Sequence, residues 1–295
     1  MKVLNYGSLN VDYVYSVDHI IVGGETQHSS KLEVFSGGKG LNQSIALAKA
    51  GVPVYHAGIV GSDGDILLDA CKDAGVNTKY IRRLPVKGGH TMIQVDKNAQ
   101  NCIILYGGTN QMQTREFVDE VLADFGEGDY LLLQNEINML DYIIDQAYEK
   151  KMKIVMNPSP FDDKLNTCDL GKIYLFLLNE IESEQITGYK DKDQILDAMA
   201  EKFPNARFVL TLGSDGAVYY DGKEKIFQDI FKVKALDTTA AGDTFTGYFI
   251  AAVIEGRSVQ EALRMAAKAS SIAVSRPGAT PSIPAMDEVK RELGM

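Results

Sequence analysis

The sequence predicts an α/β fold: a mostly parallel central sheet flanked by helices on both faces, with a small β lid. Three observations predict it. Apolar strand patterns alternate with helical patterns from about residue 54 to residue 212, as they do in parallel sheets with crossover helices. Two segments, 13–36 and 91–106, carry strand patterns without a helix between their strands. Several polar stretches directly follow strands, where open α/β sheets bind ligands.

The composition predicts one soluble cytoplasmic domain. A chain of 295 residues with 45% hydrophobic residues can bury a core, so we expect a single domain over 1–295, with a lid from about 13–35 and 88–106. The net charge of −10 argues against nucleic acid as a partner. No apolar run is long enough for a membrane helix, and three dispersed cysteines predict neither disulfides nor a zinc site.

The N-terminal part begins with a buried strand, 2–7, and we expect Asn10 and Asp12 just beyond its end. Asp12 could accept protons from two sugar hydroxyls, or it could be an ordinary turn aspartate. The glycine-rich segment 36–43 then precedes a helical pattern, but it lacks the frames of a Walker P-loop and of a dinucleotide fingerprint. Lys39 and Asn42 offer polar groups at this helix start, although such turns are often only structural.

The middle of the chain supplies the alternation itself. The turn-rich Gly23–Glu25 lies between the strand patterns of the first lid segment, and the connection 97–100 joins the strand patterns of the second. The predicted strands are 54–60, 129–134, 153–157, 173–178 and 208–212, and the predicted helices are 63–74, 115–125, 139–151 and 195–203. Polar groups follow these strands at 134–136, 157–160, 179–182 and 211–216, which is what a cleft for a substrate and a nucleotide needs.

The stretch 235–247 (ALDTTAAGDTFTG) predicts a helix that begins at about Gly242 and carries an apolar face. The first backbone N–H groups of a helix have no partner inside it and attract anions. Asp243 beside such a site suggests a general base next to an anion hole. A simple helix-capping role for this aspartate explains the segment equally well. A further helix, about 258–274, precedes a loop at 275–282 whose carbonyls could bind a hard cation.

Together these motifs resemble the ribokinase-like (PfkB) carbohydrate kinases over nearly the full length. The resemblance rests on GSLNVD (7–12), GGKGLNQ (37–43), NEIE (179–182), DTTAAGDTF (237–245) and PGATPS (277–282). The DTTAAGDTF run is similar to the C-terminal signature of the family and favours catalysis over capping at Asp243. The GGKGLNQ form is more similar to the ribose kinases of the family than to its fructokinases.

The resemblance implies roles for particular residues. The general base would be Asp243, and the anion hole would be Ala240, Ala241 and Gly242. The sugar would be held by Asn10, Asp12, Gly38, Lys39, Asn42, Glu136 and Asp243. The nucleotide would contact Asn179, Thr211, Gly213, Ser214, Gly216 and Gly242. Magnesium would be placed with the help of Glu182, and a monovalent cation, usually potassium, would bind at Asp237, Thr239, Ala273, Arg276, Gly278 and Ser282.

The resemblance also implies an activity: transfer of the γ-phosphoryl group of Mg-ATP to the primary hydroxyl of a pentose, with ribose preferred. The alternatives are a family member acting on another sugar or a nucleoside, and a sugar or nucleotide sensor without catalysis. Met92 stands where the ribose kinases often have glycine, so we expect it to reshape the sugar pocket. An unpaired edge of the lid predicts a homodimer through the lid.

Overall fold

The computed structural model describes residues 1–98 and 100–295; Ala99, in the connection predicted at 97–100, lies outside them. The described residues form 13 strands and nine α-helices. The strands are β1 Val3–Tyr6, β2 Asn10–Ser16, β3 Lys31–Gly37, β4 Val54–Val60, β5 Asn77–Arg83, β6 Gly89–Val95, β7 Asn101–Tyr106, β8 Tyr130–Gln134, β9 Lys153–Asn157, β10 Leu175–Asn179, β11 Arg207–Thr211, β12 Ala217–Tyr220 and β13 Lys225–Gln228. The helices are α1 Lys39–Lys49, α2 Asp65–Ala74, α3 Arg115–Leu122, α4 Leu140–Glu149, α5 Glu180–Thr187, α6 Lys192–Lys202, α7 Ala241–Ile254, α8 Val259–Val274 and α9 Met286–Leu293.

The central sheet confirms the predicted fold class. In the described chain it contains nine strands in the order β13-β12-β11-β10-β9-β8-β1-β4-β5. All neighbours from β11 to β5 are parallel, and only β12 and β13 pair antiparallel. Alternate side chains of one strand enter different cores: Leu132 packs in one cluster, whereas Leu131 and Leu133 pack in the other. Helices therefore cover both faces of the sheet.

A second sheet, called here the small sheet, has the strand order β3-β2-β6-β7. Its register places Thr91 of β6 beside Asp12 of β2, and Leu105 of β7 opposite Thr91. Asn10 and Asp12 lie just beyond the end of β1, as predicted, and both belong to β2, so Asp12 is not a turn aspartate. Only three residues, 7–9, separate β1 from β2. The alternation of side chains between the two faces of a strand then continues through β2.

The sequence interpretation left five described elements unassigned. They are β5, β12, β13, α5 and α9. The β5 segment NTKYIRR is largely exposed, so its composition lacks the apolar run of a buried strand. Helix α5 has little apolar asymmetry and begins with a capping box formed by Asn179 and Glu182. The predicted helices and strands of the central unit are present, and their ends differ from the predicted ones by at most three residues.

Close packing of α1 against α7 brings distant segments together. A β-carbon on Gly247 of α7 would lie 2.4 Å from the β-carbon of Ala46 in α1, so the helices can approach this closely only with glycine at 247. The contact places the start of α1 beside the start of α7. No helix in the described part of the chain is long and apolar enough to cross a membrane.

Candidate active site

A cavity of about 200 Å³ lies where the starts of α1 and α7 meet the carboxyl ends of three neighbouring strands, β9, β10 and β11. Ligand sites of open α/β sheets lie at this edge. Its lining residues are Lys39, Asn157, Ser159, Leu177, Leu178, Asn179, Glu182, Thr211, Thr238, Ala240, Ala241, Gly242, Asp243 and Thr246.

The start of α7 is built to leave backbone amides free. Ala240 has φ 58°, a left-handed conformation that is strained for a residue with a β-carbon and that often marks functional sites. The Ala241 N–H donates to the Thr238 carbonyl at 3.2 Å. Within the described residues the N–H groups of Gly242 and Asp243 have no partner, and a β-carbon on Gly242 would meet no atom within 4 Å. Two free amides at the positive end of a helix therefore face open space.

The carboxylate of Asp243 is held at both oxygens by α1. Asn42 Nδ2 donates to Oδ2 at 2.9 Å, and Gln43 Nε2 donates to Oδ1 at 2.8 Å. Asp243 is buried, with 7% of its surface exposed. The sequence predicted Asn42 at the site but gave no role to Gln43. These contacts join residues about 200 positions apart, so no local pattern could reveal them.

Charges of both signs surround this carboxylate. Burial lowers the pKa of the Lys39 ammonium, but attraction to Asp243, Glu136 and Glu182 outweighs burial and raises it overall. Burial raises the pKa of Glu136, against the effect of Lys39 and of two hydrogen bonds. Those bonds come from the Ser8 hydroxyl and from the Lys39 N–H, the latter at 3.0 Å. Lys39 therefore stays cationic at neutral pH, between three carboxyl groups.

Asp12 reaches its position from the small sheet. Thr91 Oγ1 donates to Asp12 Oδ1 at 2.6 Å, and a β-carbon on Gly37 would lie 1.9 Å from Asp12 Oδ2, so a larger residue at 37 would displace the Asp12 carboxylate. Burial raises the pKa of Asp12 to about 6; the Thr91 hydrogen bond opposes this rise, and the charge of Glu136 adds to it. Asn10 lies earlier on the same strand, and its Oδ1 accepts from Asn110 Nδ2 at 2.7 Å.

Met92 was placed wrongly by the sequence interpretation. It follows Thr91 in β6, so its side chain points to the opposite face of the strand from Thr91 and Asp12. There it lines a groove of about 310 Å³ with Tyr15, Val17, Ile104 and residues of the connection 17–29. Its size therefore does not act directly on the face of the small sheet that carries Asp12.

The predicted phosphate and magnesium residues fall into two groups. Asn179 and Glu182 line the cavity and cap α5: the Asn179 side chain accepts from the Ile181 and Glu182 amides, and the Glu182 carboxylate accepts from the Asn179 N–H at 2.8 Å. Thr211 also lines the cavity. Gly213, Ser214 and Gly216 form the turn between β11 and β12 and are not among the lining residues.

The predicted cation loop is tied together by Asp237. Its Oδ1 accepts from the Thr239 N–H at 2.8 Å, and its Oδ2 accepts from the Gly278 N–H at 2.9 Å. The Ala273 carbonyl accepts from the Arg276 N–H at 3.0 Å, and Ser282 Oγ donates to the Ala279 carbonyl at 2.7 Å. Among residues 1–98 and 100–295, no three acidic, histidine or cysteine side chains converge as a metal cluster.

Sequence reasoning missed several residues of the cavity and its supports. Asn157 and Ser159 stand in a polar stretch after β9 that had been noted without a role. Thr238 precedes the α7 start inside the signature motif, and Thr246 lies in α7 one residue beyond that motif. For these four, position relative to a strand end or helix start was an available signal. Gln43 had none beyond its place next to Asn42.

Comparison with known proteins now decides the family. Residues 1–286 match the model of the pfkB family carbohydrate kinases. The chain belongs to this family. It is 34% identical to a ribokinase of Haemophilus influenzae over 96% of this chain and 95% of that one, and 33% identical to a ribokinase of Staphylococcus aureus over 98% and 99%. The structure of Arabidopsis thaliana ribokinase with ribose and ATP superposes with a TM-score of 0.87, at 29% identity, over 100% of this chain and 99% of that one. As a pfkB member, the protein is a carbohydrate kinase.

Proposed function

We propose that the protein transfers the γ-phosphoryl group of Mg-ATP to the 5-hydroxyl of D-ribose, giving D-ribose 5-phosphate and ADP. One observation carries the proposal: a buried carboxylate, Asp243, is held at both oxygens beside two free amides and the ammonium of Lys39. Ribokinases are the relatives that the chain matches over nearly its full length, and one of their structures contains ribose and ATP.

Asp243 acts as the general base in this reaction. As the sugar oxygen forms its bond to phosphorus, its proton passes to the Asp243 carboxylate, and the bond between the γ-phosphorus and the bridging oxygen of ADP breaks. The amides of Gly242 and Asp243, at the positive end of α7, stabilise charge on the phosphoryl group in flight. Ala240 and Ala241 shape this helix start. Lys39 adds a positive charge on the same side of the cavity.

The sugar binds between α1 and the small sheet. In its ionised form, Asp12 can accept hydrogen bonds from two ring hydroxyls. Asn42 Oδ1 is buried and has no partner within the described residues, so it is available to a sugar hydroxyl, whereas its amide nitrogen already serves Asp243. Buried polar atoms of this kind are usually satisfied when a ligand is present. The remaining sugar contacts are proposed at Asn10, Gly38, Lys39 and Glu136.

The nucleotide and cations take the other side of the cleft. We place the phosphates near Asn179, Thr211 and Gly242, and the turn Gly213, Ser214 and Gly216 beside the rest of the nucleotide. Magnesium neutralises phosphate charge when bound, and Glu182 supplies the nearby carboxylate; one or two carboxylates plus phosphates commonly suffice. The loop of Asp237, Thr239, Ala273, Arg276, Gly278 and Ser282 would hold potassium, which would tune the α7 start without touching substrate.

We also propose that the small sheet is a lid within a single domain and that two copies of the protein pair through it. Its strand β7 is exposed along all six residues, and β3 and β7 are unpaired edges. Covering such a sheet with a second copy would exclude water from the sugar. A cytoplasmic location remains a prediction from the dispersed cysteines and the family chemistry.

The test is ADP release from Mg-ATP with D-ribose, with and without potassium, beside fructose, ketodeoxygluconate, fructose 6-phosphate and nucleosides. We expect potassium-stimulated turnover with a strong preference for ribose. 2-Deoxy-D-ribose is the matched control for the sugar hydroxyls, because a site that hydrogen-bonds a hydroxyl rejects an analogue that lacks it. Turnover with another acceptor alone would reassign the pocket, and no turnover with any acceptor would favour a sensor.

A further inference from the structure

A chain of buried amide side chains connects Asp243 to the middle of the central sheet. Gln43 Nε2 donates to Asp243 Oδ1 at 2.8 Å, and Gln43 Oε1 accepts from Gln134 Nε2 at 2.7 Å. Gln134 Nε2 also donates to Asn5 Oδ1 at 3.0 Å. Gln43, Gln134 and Asn5 are each fully buried. We call these three side chains the amide relay; they lie on α1, β8 and β1.

The carboxylate fixes the direction of every bond in the relay. An ionised carboxylate only accepts hydrogen bonds, so Gln43 must present its NH₂ group to Asp243 and its carbonyl to Gln134. Gln134 must then donate in turn to Gln43 and to Asn5. The Asn5 amide ends the series by donating to the Gly40 carbonyl at 2.6 Å and to Ser44 Oγ at 2.8 Å. One orientation of all three amides is therefore compatible with a charged Asp243.

The relay is an unusual filling for this space between sheet and helix. Apolar side chains would pack there without polar atoms to satisfy, whereas Gln134 Oε1 has no partner among the described residues. Buried polar networks of this kind fix a unique arrangement of the groups they join. Asn42 holds the other oxygen of Asp243 but is also placed to contact the sugar, whereas Gln43 contacts only protein.

We propose that Gln43 is a positioning residue for Asp243, and that the amide relay holds the Asp243 carboxylate in the orientation that accepts the substrate proton. This inference rests on the proposed role of Asp243 as the base. Without Gln43 the carboxylate keeps one anchor and can rotate about its last side-chain bond. A misplaced base slows the chemical step and leaves sugar binding largely intact.

Other titratable groups around Asp243 are the same in wild type and variants. Lys39 of α1 and Glu136, from the segment after β8, both interact with its charge, and Glu182 of α5 acts on Lys39. At the far end of the relay Ser44 Oγ lies 2.8 Å from His56 Nδ1. Burial lowers the pKa of His56 to about 4, so this ring stays neutral over the range of the assay and does not titrate with the relay.

The decisive variants are Gln43→Met and Gln43→Glu. Gln43→Met removes the donor to Asp243, and we expect kcat to fall by about 10- to 100-fold with the sugar KM within about threefold of wild type. In Gln43→Glu two carboxyl groups share one contact, so they retain a single proton at low pH. A protonated Glu donates to Asp243 as the amide did. We therefore expect kcat of Gln43→Glu to approach that of wild type near pH 6 and to fall progressively as pH rises, where wild type does not fall.

A matched control is Gln113→Glu, another buried glutamine, which accepts from the Tyr6 hydroxyl at 3.2 Å and lies outside the relay. It places the same charge in the core without touching Asp243. We expect Gln113→Glu to lose stability without the pH-dependent loss of kcat. A Gln43→Met enzyme with wild-type kcat, or a Gln43→Glu enzyme whose pH profile matches wild type, would overturn the positioning role.

A stability measurement keeps the two proposals distinguishable. A shared proton raises the folded-state pKa of the Gln43→Glu pair above the unfolded value of about 4.3. Stability of Gln43→Glu relative to wild type should therefore be retained near pH 4 and decline as pH rises toward the folded-state pKa. Burial of a carboxyl group at 43 raises its pKa by itself, so the decline should become smaller, rather than vanish, when Asp243→Asn is added. If the decline keeps its full size, the contact is refuted whatever the substrate; if it becomes smaller while wild type phosphorylates only another acceptor, the relay stands and the ribose assignment fails.

Discussion

Two regions of the site hold their polar groups in different ways. One is the floor of the site, by which we mean Asp243, the start of α1 and the amide relay; the other is the small sheet. In the floor, Asp243 has two hydrogen bonds from α1, and the relay behind it lies in a sheet whose strand β8 is buried at every residue. In the small sheet, Asp12 accepts a side-chain hydrogen bond from Thr91, and the edge strand β7 is exposed at every residue. The position of Asp243, the proposed base, is thus fixed by this chain's own core, whereas Asp12, a proposed sugar contact, lies in a sheet with an exposed edge strand.

Asp243→Asn removes the carboxylate at the centre of the site and should have the largest effect on kcat. An amide at 243 retains the shape of the side chain but cannot take the substrate proton, so we expect kcat to fall by roughly 10² to 10⁴ with sugar binding largely retained. Steady-state kinetics with ribose, and calorimetric titration of ribose, measure the two quantities. Asp287→Asn, an exposed aspartate in the first turn of α9, is the matched control. Near-normal turnover in Asp243→Asn would remove the base assignment.

The small sheet is tested next by two adjacent isoleucines on opposite faces of β7. Ile103 lies opposite Ile93, on the face that carries Asp12, whereas Ile104 lies opposite Met92. Their exposures are similar, 54% and 61%, but the connection 17–29 lines the groove on the Ile104 side. The Asp12 face is therefore the less covered one, and we expect a second copy to pack on it.

Ile103→Glu should then weaken self-association by about 100-fold, the usual effect of losing a central interface residue, and should raise the sugar KM. Ile104→Glu, which adds the same charge one residue further on, should leave association nearly unchanged. Sedimentation over a range of protein concentrations measures both. A wild-type protein that remains monomeric, or equal behaviour of the two variants, would contradict pairing through the Asp12 face.

The smallest effect concerns the protonation of Asp12. Because the pKa of Asp12 is raised to about 6, the free protein carries a protonated Asp12 at lower pH. That form cannot accept hydrogen bonds from two hydroxyls as the carboxylate does. We expect kcat/KM for ribose to fall about tenfold per pH unit below pH 6. The Thr91 hydrogen bond lowers the pKa of Asp12, so Thr91→Val should shift this limb to higher pH. If the fall of kcat/KM occurs at the same pH in Thr91→Val and in wild type, it reports the titration of a group other than Asp12.

Local patterns predicted the parts of the fold that short-range physics controls. The strand–helix alternation and the α7 start are visible because side-chain periodicity and free helix amides are properties of neighbouring residues. Elements that are exposed or short escaped prediction: β5 carries three basic side chains in seven residues, and β12 and β13 are only four residues each. Met92 was misplaced because sequence does not say which face of a strand looks toward the site.

By itself, the sequence determined that the chain is an α/β protein, that it carries the signature of a kinase family, and that Asp243 stands at a helix start. Only the tertiary structure decided that Gln43 reaches Asp243, that Lys39 lies among three carboxyl groups, and that Asp12 belongs to a strand of the small sheet. The physical reason is distance along the chain: Gln43 and Asp243 are 200 residues apart, and they meet because Gly247 lets α7 pack directly on Ala46 of α1.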